Sequence, residues 1–374
     1  MKHKKIIMMG PSINSLGGVA SVVNGYIQAG LLDRWDVVYL NTHIEGSKAK
    51  KLVTAISALR RLLVLLIKGE VALLHVHASE RVSFWRKFIY IMIAFAARCP
   101  VVFHLHGGAF MQFYNDRCGR IAKWIVRFVL ERSACVIALS SQWRINLLGI
   151  AKSAHVIYIF NSVTRAPVHD VPPQPARRNI LLFLGRLGQG KGVYDLLEAV
   201  SRLRHTFPDI VLKCGGDGEL EQVAQRADEL GIGENVKILG WVKGDEKQRL
   251  LDEAAVYVLP SYIEGMPMGV LEAMDAGLPV IATTVGGIPD AIDSGVDGIL
   301  IAPGDVDALA NAITLLLGNV GMREEMGIAA KQKIAERFRA EKVLPQLEAV
   351  YRRLGAVPLA VDKKLGGGND AKTY

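Results

Sequence analysis

The sequence predicts an α/β protein built from two doubly wound parallel sheets, each covered by helices. Short β-branched or apolar runs alternate with helical segments along most of the chain, the pattern of strands joined by helical crossovers. One stretch breaks that alternation: residues 166–178, APVHDVPPQPARR, hold four prolines and no hydrophobic period, as a semi-extended linker does. The length of 374 residues also suits two domains.

In the first half the predicted strands are residues 5–9, 35–40, 73–76, 101–105 and 134–139, with helices near 19–29, 49–67, 84–97 and 120–132. After the linker the pattern restarts with strands at 179–184, 210–214, 236–239, 255–259 and 279–282. The expected organisation is a first domain over 1–165, the linker, a second domain over 179–355, and a tail over 356–374. The polar, Gly-rich end of that tail, 363–374, is expected to be disordered. The N-terminus, MKHKKIIMMG, is basic and then apolar, but its apolar run, Ile6–Met9, is too short for a secretory signal and reads as the first strand.

The charge is uneven. The chain carries +9 overall; residues 1–165 hold 22 Lys and Arg against 7 acidic residues, and the remainder 23 against 29. A basic first half implies an anionic partner: nucleic acid, phospholipid or a phosphorylated substrate. Cationic, aromatic-rich helices (residues 49–70, 81–98 and around Trp124 and Phe128) favour an anionic membrane surface. The competing reading packs their apolar faces on the sheet. Nucleic acid fits less well, because single-strand grooves interleave cations with exposed aromatics along one track. No stretch reaches the roughly 18 apolar residues of a membrane span. Cys99, Cys118, Cys135 and Cys214 show no CxxC or zinc-ligand spacing and read as buried free thiols.

Two glycine-rich turns look suited to phosphate. GPSINSLGGVA, residues 10–20, places Gly17 and Gly18 at a helix start, where backbone N–H groups can approach an anion. It lacks GxGxxG spacing, so a dinucleotide cofactor is not supported. GRLGQGKG, residues 185–192, nearly matches a P-loop, but Gly192 stands where the Mg²⁺-binding hydroxyl would be. That leaves Arg186 and Lys191 as two cations at a helix N-terminus. A third segment, residues 261–280, holds Glu264 in a strand-to-helix loop, Pro267 at the first helical turn and Glu272 within the helix. Backbone N–H groups from Gly265 through Met266 and Met268 to Gly269 would point toward an anion. Asp305-Val306-Asp307 mimics a DxD metal motif but opens a helix, so Asp305 reads as an N-cap.

Taken together, these strings resemble glycosyltransferase family 4. The resemblance rests on Glu264 and Glu272 within EGMPMGVLEAMDAGLPVIATTVGGIPD, on GRLGQGKG and GGVASVV, and on CGGDGEL and KILGWV; it spans about residues 5–355. It implies a GT-B fold with two Rossmann-like domains facing a cleft, and retaining, metal-independent transfer from a nucleotide sugar. It further implies that Glu264 binds hydroxyls of the donor sugar and Glu272 the ribose. Arg186 and Lys191 would neutralise the diphosphate, with Gly17 and Gly18 approaching from the other domain. His106, in VFHLHGG, matches the family histidine because Gly107 follows it; Ser141 is a weaker site residue.

Within the family the resemblance points to exopolysaccharide α-mannosyltransferases using GDP-mannose and a cellobiosyl-diphosphopolyprenol acceptor. The second domain would then bind the donor. The basic first domain would take the lipid-linked saccharide acceptor, on the inner face of the cell membrane. Alternatives are a UDP-sugar-dependent member of the family in lipopolysaccharide or other glycan assembly, and, more remotely, a basic nucleic-acid-binding protein. A noncatalytic relative would be expected to have lost Lys191 or Glu264; both are present.

Overall fold

The computed structural model describes residues 3–164 and 179–359. The expected linker, 166–178, and the tail segment 363–374 lie outside the described residues. The chain divides into two compact units. One comprises the described parts of Met1–Thr164 and Arg339–Tyr374, the other those of Arg165–Phe338.

The first unit carries six parallel strands: β1 (Lys5–Pro11), β2 (Val37–His43), β3 (Val71–Ala78), β4 (Val101–Leu105), β5 (Cys135–Ala138) and β6 (Val156–Tyr158). Their order is β2-β1-β3-β4-β5-β6. Its helices of eight or more residues are α1 (Gly18–Gln28), α2 (Lys48–Ile67), α3 (Val82–Ala96), α4 (Arg120–Arg132) and α5 (Ser141–Ile150). In the second unit, β7 (Ile180–Leu184), β8 (Val211–Gly215), β9 (Val236–Gly240), β10 (Val256–Leu259), β11 (Val280–Thr283) and β12 (Gly298–Ile301) run in the order β12-β11-β10-β7-β8-β9. Its helices of eight or more residues are α6 (Val193–Leu203), α7 (Leu220–Glu229), α8 (Gly244–Glu253), α9 (Met268–Asp275), α10 (Val306–Gly318) and α11 (Val320–Lys333). A last helix, α12 (Ala340–Arg353), returns to the first unit.

Nearly continuous apolar runs such as Ile6–Met9 and Val256–Leu259 are fully buried, as expected for parallel strands covered on both faces. Ten of these strands coincide with predicted runs. Reading the sequence missed β6 and β12, which are three and four residues long. Alternation along β3 sorts its side chains between the two faces. Leu74, Val76 and Ala78 join the core with Leu62 of α2, Phe84 of α3 and Val129 of α4. His75 and His77 point to the other face, toward Tyr351 of α12 and Tyr26 of α1.

The expected second domain, 179–355, ends earlier in the structure. Ala340 donates to the Val163 carbonyl at 3.1 Å, and Tyr351 packs edge-on against Trp35 with ring centroids 5.4 Å apart. Arg34 pairs with Glu348 at 3.1 Å. α12 therefore buries its Leu347–Tyr351 face on the first unit, a long-range contact that no local pattern encodes. Asp305 is the N-cap of α10, accepting from the Ala308 N–H at 2.8 Å, and Asp307 pairs with Arg202. All four cysteines are buried free thiols.

Candidate active site

In open parallel sheets, ligands bind at the carboxyl ends of the strands, and the sequence-predicted residues lie on the loops after those ends or in the helices that follow. In the second unit, the loop after β7 ends in a short turn, Gln189–Lys191, that leads through Gly192 into α6. The loop after β10 carries Ser261 and Glu264. Strands β7 and β10 are neighbours, so the two loops meet: the Tyr262 N–H donates to the Gly190 carbonyl at 3.1 Å. Lys191 Nζ lies 2.6 Å from Glu264 Oε1, and Ser261 Oγ donates to the same oxygen at 2.8 Å. Thr283 Oγ1 donates to the Ser261 carbonyl at 2.5 Å, holding that segment from β11.

Glu264 is only 7% exposed. A carboxylate so placed needs a charged partner and hydrogen bonds to offset the loss of water, and Lys191 and Ser261 supply both. The Lys191 ammonium has three donors; one is committed to Glu264, and the side chain remains partly open to solvent. The first turn of α9 adds N–H groups without intrahelical partners. Pro267 is its extended N-cap residue rather than part of the first turn, with Met266 buried beside it. Gly265 is tied down by the Gly287 N–H, which donates to its carbonyl at 2.6 Å.

Glu272, expected to reach a ribose, is paired with Lys247 of α8 at 2.7 Å. Arg186 does not join the Lys191 pair. It is exposed, 3.9 Å from Asp217, in a loop held to the one after β8 by the Leu187 N–H donating to the Asp217 carbonyl at 2.6 Å. Sequence reasoning missed Ser261, Lys247 and Asp217. Ser261 carried a usable signal, a small hydroxyl residue immediately after the Leu259-Pro260 strand end.

In the first unit, Gly17 caps α1 with φ +118°, a conformation that L side chains rarely adopt. A Cβ at Gly17 or Gly18 would meet nothing within 4 Å. Ser141 is the first residue of α5, while Ser140 is its N-cap and accepts from the Trp143 N–H at 3.1 Å. His106 follows β4, with its Nε2 2.8 Å from His77 Nδ1. It is one of four histidines whose rings pack together. His75 Nδ1 lies 2.7 Å from the Tyr351 hydroxyl, and His75 Nε2 lies 3.2 Å from His104 Nδ1.

Burial, and then the nearby Lys87, holds the His106 pKa down at about 3. Burial first, and then His106, does the same to His75. His77 and His104 are also pushed far below the usual histidine value, mainly by burial. The cluster is therefore neutral at physiological pH. His75, His77 and His104 each offer a ring nitrogen within 4.8 Å of the others; they are the one group of histidines, cysteines and carboxylates among the described residues close enough to hold a metal ion.

Both family models that match describe glycosyltransferase domains: Glycosyl transferase 4-like domain over residues 26–159 and Glycosyl transferases group 1 over 165–333. With two six-stranded parallel sheets flanked by helices, the fold is GT-B, and each family model matches one part of the chain. A similar curated protein is glycogen synthase of Mycobacterium tuberculosis, strain CDC 1551 / Oshkosh, 32% identical over 172 residues. The match covers 46% of this chain and 42% of that protein, so this chain spans less than half the relative's length. Among solved structures, sucrose-phosphate synthase from Thermosynechococcus elongatus aligns with a TM-score of 0.76 at 21% identity, over 94% of this chain and 99% of that one. Anabaena Alr3699/HepE in complex with UDP and glucose aligns with a TM-score of 0.73 at 19% identity, over 94% and 100%.

Proposed function

We propose that the protein transfers a hexosyl group, with retention, from a nucleotide sugar onto an acceptor held at a membrane surface. The observation that carries this reading is the Lys191–Glu264–Ser261 cluster, built where β7 and β10 end together. Departure of the nucleoside diphosphate builds negative charge on its bridging oxygen. The spare donors of Lys191 and the free N–H groups at the starts of α6 and α9 stabilise that charge. Glu264, held by Lys191 and Ser261, presents a fixed carboxylate to hydroxyls of the sugar. Glu272 takes the ribose once it leaves Lys247. His106, Ser141, Gly17 and Gly18 of the first unit are assigned to donor binding by the sequence resemblance alone.

Our reading of the donor is GDP-mannose and of the acceptor a polyprenyl-diphosphate-linked oligosaccharide, both from the sequence resemblance. A UDP-sugar donor is the second reading, favoured by the similar Alr3699/HepE structure with UDP and glucose. Donor hydrolysis and transfer across a panel of GDP- and UDP-sugars separates the two. GDP release from GDP-mannose is the expected result. Preference for a UDP-sugar would overturn the mannosyl assignment, and inertness toward the whole panel would sink the transferase reading.

The membrane part of the proposal rests on three helices lying side by side. The Tyr90 hydroxyl of α3 donates to the Ala55 carbonyl of α2, and Phe95 of α3 packs edge-on against Phe128 of α4. Part of each apolar face enters the core, through Leu62, Phe84, Tyr90 and Val129, as the competing reading held. Leu52, Val53 and Ile56 of α2, Ile89 of α3, and Ile121 and Trp124 of α4 nevertheless remain exposed. Lys50, Lys51, Arg60, Lys123 and Arg127 lie on the same helices. Lys87 does not serve this surface. It is 1% exposed, donates to Ser83 Oγ, and its pKa is pushed down to about 7 by burial and then by Arg86.

No helix among the described residues is long and apolar enough to cross a membrane, so the surface would lie at the interface. In flotation assays the protein should bind phosphatidylserine vesicles at low salt and release progressively as salt screens the roughly 1 kcal/mol per surface cation. Lack of binding at low salt would refute this part.

A further inference from the structure

We propose that His77 is a positioning residue that holds His106 as a neutral imidazole with its proton on Nδ1, so that His106 meets its ligand as a hydrogen-bond donor. This rests on the reading of His106 as a site residue and adds the form in which that residue acts. The pair shares one hydrogen, between His77 Nδ1 and His106 Nε2, at 2.8 Å. His77 is 1% exposed, and its other nitrogen, Nε2, is buried with no hydrogen-bond partner.

Two neutral arrangements fit that geometry. If His106 donates from Nε2, then His77 must carry its own proton on the orphaned Nε2, leaving a buried N–H unpaired. If His77 donates from Nδ1, the orphaned Nε2 is a bare lone pair and His106 is protonated on Nδ1. Unpaired buried N–H donors are rarer than under-used acceptors, which selects the second arrangement. The choice propagates outward: His106 Nε2 is occupied, and its Nδ1–H, which has no hydrogen bond to the described residues, is left for an oxygen of the bound ligand.

The surroundings keep both rings neutral. Lys87 of α3 and the rings of His75 and His104 face the pair, and each disfavours a further positive charge. Strand pairing aligns the parts, since β3 and β4 are in register with His77 opposite His104 and Ala78 opposite Leu105. The His106 N–H donates to the Ala78 carbonyl at 2.8 Å, so the backbone that carries His106 is fixed to the strand that carries His77.

Ring-¹⁵N-labelled histidine in the wild-type protein tests the assignment directly by two-bond proton–nitrogen correlations. The expected result is Nδ1–H signals for both His77 and His106 near neutral pH; an Nε2–H signal for His106 overturns the proposal whatever the activity. Metal analysis of the purified protein should show no stoichiometric transition metal, since one bound to these rings would replace the shared hydrogen and overturn it too. A double-mutant cycle separates positioning from structure. His77→Leu should lower kcat about tenfold, the worth of one lost hydrogen bond, and His77→Asn should restore most of that. The same change in a His106→Ala background should have little further effect. An equal loss in both backgrounds assigns His77 a structural role and overturns the proposal. Full activity of His106→Ala alone would instead remove the site reading on which the proposal rests, leaving the tautomer result to stand separately.

Discussion

Replacing Lys191 with alanine should lower turnover at saturating donor by about 10²–10³-fold, the loss seen when one preorganised donor to a developing oxyanion is removed. The geometry gives the variant two consequences. The leaving diphosphate loses its adjacent ammonium, and Glu264, 7% exposed, loses the cation 2.6 Å from Oε1. An uncompensated buried carboxylate is costly, so the variant should also be less stable. Steady-state kinetics and a thermal melt of purified Lys191→Ala check both. Lys191→Arg keeps the charge but cannot occupy the same compact position, and should recover only part of the rate. Unchanged turnover in Lys191→Ala would eliminate the leaving-group role.

The second large effect is on stability and concerns Gly192, the hinge between the Lys191 turn and α6. Its φ is +70°, and a Cβ there would lie 2.0 Å from the Pro260 carbonyl oxygen. Gly192→Ala therefore combines a left-handed conformation, costing roughly 1–2 kcal/mol, with a collision against backbone that can be relieved only by separating the two loops. The expected loss is about 3 kcal/mol or more, beyond the usual range of point substitutions, read as a lower denaturant midpoint or Tm. Gly190→Ala is the control. A Cβ at Gly190 meets nothing within 4 Å, and its effect should stay within about 0.5 kcal/mol. Equal stabilities of the two variants would contradict the close approach of the loops that carry Lys191 and Glu264.

The alternation of runs, the Gly-rich strings and the two-glutamate segment were legible before any coordinates, because each is written within ten to twenty consecutive residues. Strand β1, helix α4 and the Asp305 cap follow from local pattern alone. The pairing of Lys191 with Glu264 does not. They are separated by 73 residues, and they meet because β10 lies beside β7, a strand order that parallel sheets reach through crossovers rather than hairpins. For the same reason Arg186 and Lys191, five residues apart, read as a pair in the sequence yet part company in space: one is held to Glu264 and the other lies near Asp217.

The basic first half shows the same division. Its charge, its amphipathic helices and the alternation that lets His104 of β4 and His106, just past the end of β4, share a face are properties of the chain read in order, since they depend only on composition and on the periods of strand and helix. Which cations reach solvent and which residues join the site depends on packing between distant elements. Burial against the sheet withdrew Lys87 from the surface, and pairing of β3 with β4 brought His77 to His106. Return of α12 set Tyr351 against His75. Local periodicity encodes which side chains share a face, whereas what covers that face is set by the one arrangement of strands and helices that buries them together.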